Sequence, residues 1–281
     1  MLSQLKTQSA RLLELLGHNE EPFGVFYSDQ KPEDGYGPKV SDLLSRERED
    51  AGLINWQKVF SDFSCVLGNV WLARKKKKAA WLSHEACGCM GGGFYTGMYQ
   101  PYLHLNVAYV SHGIAGTHME GEHYITPEGM TRFMEDSTPP KAPATYCIIK
   151  PLSLFSGDEK PLVIIFFARP EVLTGLHCLT TYATGDPYAV VSPFGACCTH
   201  IIGWPQVYEA KGEAKAVLGG FDPSARKFLK TDELTFALPL SLYMRLLEKM
   251  EISALTRHTW QNDRKKVLKS QKAWGEEDQP G

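Results

Sequence analysis

The sharpest chemical signal in this sequence is its cysteines: Cys65, Cys87, Cys89, Cys147, Cys178, Cys197 and Cys198. Cys65 stands alone, Cys87-Gly-Cys89 precedes a glycine run, and Cys197-Cys198 follows Gly195. Thiolates are soft, charged donors that bind zinc and iron well. Adjacent glycines let backbone N–H groups turn toward sulfur, which stabilises the charge. An iron–sulfur cluster usually takes four cysteines. Cys65, Cys87, Cys89 and one of Cys197 or Cys198 would supply them if the fold gathers the segments. Two adjacent cysteines sit awkwardly on one metal, so one of that pair is expected to ligate. The chain has no Cys-x-x-Cys, which excludes a zinc ribbon and a thioredoxin-like motif, and bacterial ferredoxin spacing is absent. Iron and zinc both stay open, since thiolate accepts either.

Two other readings of the same residues stand beside that one. Cys89 or Cys198 could act as an enzyme's nucleophile, because a helix N-terminus lowers a thiol's pKa; His200 is near Cys198 in sequence, but a base must be near in space. Alternatively the cysteines simply pack in glycine-rich turns, and Gly91, Gly92, Gly93, Gly195 and Arg226 shape a pocket for an anionic small molecule. The glycine run is neither a P-loop nor a Gly-x-Gly-x-x-Gly turn. Cys147 and Cys178 fall in strand and helix patterns and read as core.

The remaining candidates carry blander readings. His104, His112, His118 and His123, with Glu120 and Glu122, have metal-capable side chains. Their spacing matches no His-Glu-x-x-His or deaminase pattern, and a solvated loop is expected. The run Arg74 to Lys78 reads as a solvated helix end. Arg226, Asp232 and Glu233 read as a surface ion pair. No Gly-x-Ser-x-Gly elbow occurs.

Positioning such a site requires a sizeable fold, and 281 residues suffice for one large domain or two small ones. Thirty basic against 32 acidic residues leave a net charge of −2, so no basic field points to nucleic acid. The longest apolar run, Leu162 to Ala168, suits a buried strand and is far shorter than the ~20 residues that span a bilayer. An odd number of cysteines in a long chain argues against a secreted disulfide scaffold. The first residues read as an amphipathic helix rather than a leader peptide, so a cytoplasmic location is expected, with a small-molecule or redox partner.

Apolar spacing predicts helices over 2–16, 64–74, 126–134, 170–183 and 240–255, and a short one over 196–202 ending before Pro205. Strands are expected over 22–27, 79–82, 146–150, 162–168, 188–191, 214–218 and 234–238. Ser41-Asp-Leu-Leu looks like a further helix start. Residues 100–124, rich in Tyr, His and Gly, lack periodicity and read as an inserted loop. The pattern predicts an α/β or α+β fold, with a mixed sheet and flanking helices in one compact domain over 1–255. Residues 256–281 read as a charged tail, its end disordered.

In this order the segments resemble an uncharacterised prokaryotic family, the domain of unknown function 169 family, from about residue 8 to 255. Pro22-Phe-Gly-Val is similar to its early strand. Cys65 followed by Ala73-Arg74 resembles its Cys-plus-Ala-Arg helix, and Cys89-Met-Gly-Gly with Gly97 its Cys-x-Gly segment. Gly195 to Cys198 and Arg226 then precede Asp232-Glu-Leu-Thr-Phe-Ala-Leu-Pro239, similar to its closing signature. The resemblance implies a shared fold and a shared cysteine site, and carries no reaction. Cys87, the His-rich stretch and the tail depart from the pattern.

Overall fold

The computed structural model describes residues 2–38, 65–84, 86, 89–98, 103–117 and 119–273. The Ser41 helix start, Cys87 and His118 lie outside them. Among the described residues, eight strands form one mixed sheet: β1 (Phe23–Ser28), β2 (Gly35–Tyr36), β3 (Ala79–Ser83), β4 (Tyr146–Pro151), β5 (Val163–Ala168), β6 (Val190–Val191), β7 (Ala216–Gly219) and β8 (Leu234–Pro239). Their spatial order is β2-β3-β4-β1-β5-β8-β7-β6. The edge pairs β2–β3 and β6–β7 are parallel and the interior pairs antiparallel. The outermost strands have two residues each, which leaves little edge for foreign strands to pair with.

Strand alternation divides the apolar residues between two cores. In β5, Ile164, Phe166 and Ala168 enter one core, while Val163, Ile165 and Phe167 enter the other. Successive side chains of a strand point to opposite faces, so the sheet is a middle layer covered on both sides. That is why all six β5 residues are buried.

The first face is covered by α1 (Leu2–Leu16), α6 (Pro170–Thr184) and α8 (Leu240–Lys249). The first two match their expected spans closely; the third, expected to run to 255, ends at Lys249 and passes into 3-10 turns over Met250–Ile252 and Ala254–Thr256. Gly17 after α1 and Gly185 after α6 take positive φ, as residues that stop a helix do. The fit extends to polar atoms: the buried Tyr243 hydroxyl donates to Ser9 Oγ at 2.8 Å, and Ser9 Oγ donates to the Leu5 carbonyl.

The second face carries α2 (Val66–Lys76), the six-residue α3 (Met90–Tyr95), a π-turn over Thr199–Gly203 and α7 (Trp204–Lys211). Two further helices, α4 (Leu103–Val110) and α5 (Pro127–Ser137), pack together beside this layer. A last helix, α9 (His258–Ala273), docks on α1, where Trp260 Nε1 donates to the Leu15 carbonyl.

Four expectations need correcting. Residues 103–110 are helical rather than loop; histidine and tyrosine masked a run that also holds Leu103, Leu105, Val107 and Val110. Pro205 does not end its helix: it stands in the first turn of α7, where a missing N–H costs little. The tail is helical to Ala273. Arg74 is not solvated. Its guanidinium lies 3.9 Å from the Phe167 ring centroid and pairs with Glu20 and Glu233, two bonds to each carboxylate, at 2.6–2.9 Å. Glu233 is thereby spent on Arg74, and Asp232 pairs with Arg169. No described helix is long and apolar enough to cross a membrane.

Candidate functional site

The second face brings the cysteine segments together at helix beginnings. Cys89 is the N-cap of α3, and its sulfur accepts the Gly92 N–H at 3.2 Å. Cys65 is the N-cap of α2. Cys197 and Cys198 form the first turn that leads into the π-turn and α7. Gly91 packs near Cys198: a Cβ placed there would lie 3.9 Å from its sulfur. The Cys89 and Cys198 sulfurs therefore both border the first turn of α3.

Burial sets the chemistry of these thiols. Cys197 and Cys198 are buried, while Cys65 and Cys89 are half-buried. Burial pushes the Cys198 thiol well above the ordinary range, and Cys89, Cys65, Asp222 and Cys197 push it the same way. Cys197 is raised for the same first reason, then by Asp222 and Cys65, with Arg226 opposing. Cys65 is raised by burial; the Gly68 and Leu67 amides oppose this without either forming an aligned cap bond. These mutual effects place Cys65, Cys89, Cys197 and Cys198 in one electrostatic neighbourhood.

They do not form a closed ligand set. Among the described residues, no group of three or more His, Cys, Asp or Glu side chains stands ready to hold a metal ion. Cys87, the remaining candidate ligand, lies outside them. Cys147 is core, as expected, its thiol pushed up to about 12 by burial. Cys178, expected in the core, is exposed instead: it falls on the solvent side of α6, although Leu176 and Leu179 beside it in sequence are buried.

The glycines are built into the site's backbone. Gly91, Gly92 and Gly93 form the first turns of α3 instead of a loop before it. Each glycine costs a helix roughly 0.5–1 kcal/mol relative to alanine, so packing must hold this short helix. Phe94 and Tyr95 supply it, buried against Phe133, Trp204 and Cys198. Gly195 has φ 150°, and a Cβ there would crowd Phe133 and Thr199 at 3.1 Å. Arg226 serves the chain itself: it donates to the carbonyls of Gly220, Glu233, Lys230 and Thr231 at 2.7–3.2 Å.

The residue that sequence reasoning missed is Asp222. Its carboxylate accepts the Cys197 N–H at 3.0 Å on one oxygen, and the Ser224 N–H and hydroxyl on the other. It thus sits on the positive end of the Cys197 helix and raises the pKa of Cys65, Cys197 and Cys198. Asp222-Pro-Ser224 carries an ordinary turn signature, which hides this role.

The histidines take separate places. His200 is buried; its Nε2 lies 2.9 Å from the Pro193 carbonyl oxygen, and its Nδ1 has no hydrogen-bond partner. Burial lowers its pKa. His112 and His123 stack at 5.2 Å on the surface. Tyr109 donates to Glu122 at 2.9 Å; burial and then Glu122 raise its pKa, and Cys89 adds to the rise.

No curated protein and no solved structure matches the chain. A family model described as uncharacterised ArCR matches residues 11–249, which hold all eight described strands and most of both helical layers. The five motifs, from the Pro22 strand to Asp232–Pro239, all fall within that span, and the chain belongs to the domain of unknown function 169 family.

Proposed function

We propose that the protein binds a thiophilic metal, zinc or an iron–sulfur cluster, through its gathered cysteines. Cys89 and Cys198 supply the central donors, Cys65 the third, and Cys87 the fourth. The observation that carries this reading is convergence: Cys89 and Cys198, from two distant segments, border the first turn of α3, and Cys65, from a third, acts electrostatically on Cys198. The donor set is soft, as zinc and iron–sulfur sites require. The Gly92 N–H bond to Cys89 is of the kind that tunes bound thiolate. A cation also reverses the penalty that keeps Cys197 and Cys198 protonated, since a coordinating thiol is deprotonated outright. Closing the set requires movement at Cys65. The metal would serve a redox or accessory role.

The test is anaerobic purification followed by absorption spectroscopy and iron, zinc and sulfide analysis. The expected result is near-stoichiometric metal, lost in Cys89→Ser and Cys198→Ser but kept in Cys178→Ser. Metal-free protein that also fails to take up iron with sulfide, or zinc, when reduced would overturn the reading.

A further inference from the structure

A groove of about 560 Å³ lies away from the cysteines, where β5 begins and β8 ends. Such a volume suits a small-molecule ligand. Its walls come from α1, α7, α8 and the segments before β4 and β5, and include Leu2, Leu5, Leu162, Leu240 and Met244. Leu162 is 42% exposed there, although the six residues that follow it are all buried. Prolines 140, 143 and 161 stiffen the two connecting segments. This surface is preformed and apolar.

Its charges are unevenly satisfied. Glu159 is neutralised by Lys150 at 2.7 Å and also accepts the Ser156 N–H. Lys141 and Lys160, on the two connecting segments, form no ion pair among the described residues. On the helical wall the exposed Glu209 accepts a hydrogen bond from Ser241. Two ammonium groups with no ion-pair partner among the described residues, beside an apolar trough, complement an anionic head with a hydrocarbon tail. A carboxylate on the helical side repels a second anionic end.

We propose that this groove binds a monoanionic amphiphile of the medium-chain carboxylate class, its head on Lys141 and Lys160 and its chain along Leu162, Leu240 and Met244. The proposal is independent of the metal reading.

The probe is dodecanoate below its micellar concentration, titrated into the full chain by calorimetry beside dodecanol and dodecanedioate. The expected result is saturable binding of dodecanoate, tighter than either competitor. Leu162→Glu and the double variant Lys141→Glu/Lys160→Glu should each weaken it about tenfold or more, near 1.4 kcal/mol. Unchanged circular dichroism shows that these surface variants fold. The proposal is overturned if dodecanoate does not bind, binds no tighter than dodecanol, or binds both variants like the native chain. It is also overturned if the native chain dimerises through this groove in sedimentation.

Discussion

The two helical layers on this sheet differ in kind. The layer of α1, α6 and α8 consists of regular helices of 10–15 residues packed through hydrocarbon, with Ser9 and Tyr243 bonded to each other and Thr181 Oγ1 buried without a partner. The opposite layer holds a six-residue helix opened by three glycines, a π-turn, an unpartnered buried nitrogen on His200 and four thiols. π-Bulges are frequent at functional sites. One face of the sheet is scaffold, while the other accepts irregular backbone, a glycine-opened helix and a π-turn, beside its thiols. Substitutions should therefore separate stability from thiol chemistry according to the face they touch.

The largest effect is expected where the irregular layer is anchored. Arg74→Ala leaves Glu20 and Glu233 without their cation, and Glu233 is only 3% exposed. Breaking such a buried pair costs about 3–5 kcal/mol, measurable by urea unfolding. On the regular face, Leu176→Ala removes a fully buried side chain of α6, and should cost ~2–5 kcal/mol. The comparison requires that Leu176→Ala leave metal content and thiol alkylation unchanged in the folded protein. Altered thiol accessibility in that variant would break the division between the faces.

A smaller effect is expected at Gly219, where a Cβ would lie 2.4 Å from His200 Cβ. Gly219→Ala should cost roughly 1–3 kcal/mol by overpacking and, by displacing the π-turn, expose Cys197 and Cys198 to alkylation. Asp222→Asn sharpens the comparison further. Losing one charge-assisted bond to the Cys197 N–H should cost only about 1.5–3 kcal/mol at most. Removing the charge lowers the pKa of Cys65, Cys197 and Cys198, so their alkylation at mildly alkaline pH should speed up. An unchanged rate would show that Asp222 only shapes its turn.

The smallest effect concerns acid. Burial lowers the folded-state pKa of His200 below 6.5, so the unfolded chain binds its proton more readily. Stability from this group is present above 6.5 and is lost as pH falls from there toward the folded value. His200→Gln should flatten the fall in melting temperature across that interval, and an unchanged slope would assign the acid sensitivity elsewhere.

The scaffold was far more legible in the sequence than the site. Leu162 to Ala168, Pro170 to Ala183 and Thr126-Pro127 announce a strand, a helix and a helix start through apolar run, period and cap, and each falls within a residue or two of its place. Such signals are local. The site depends on non-local packing: a helix can run through Gly91, Gly92 and Gly93 only because Phe94 and Tyr95 find a core built by residues 130–217. Asp222 looked like a turn because its other partner lies 25 residues away in sequence. Helix α9 was missed because its sequence is polar and its anchor is chiefly Trp260. The cysteine grouping was legible only in order along the chain, and the proximity of Cys89 to Cys198 through Gly91 was not.

The central claim is that these thiols act as one ligand set. Its most direct test is anaerobic titration of the reduced full chain with cobalt(II), read by absorption. Tetrahedral thiolate coordination predicts an intense thiolate-to-cobalt charge-transfer band saturating at one metal per chain, lost in Cys89→Ser and in Cys198→Ser. A weak octahedral spectrum with no charge-transfer band in the native chain would contradict it.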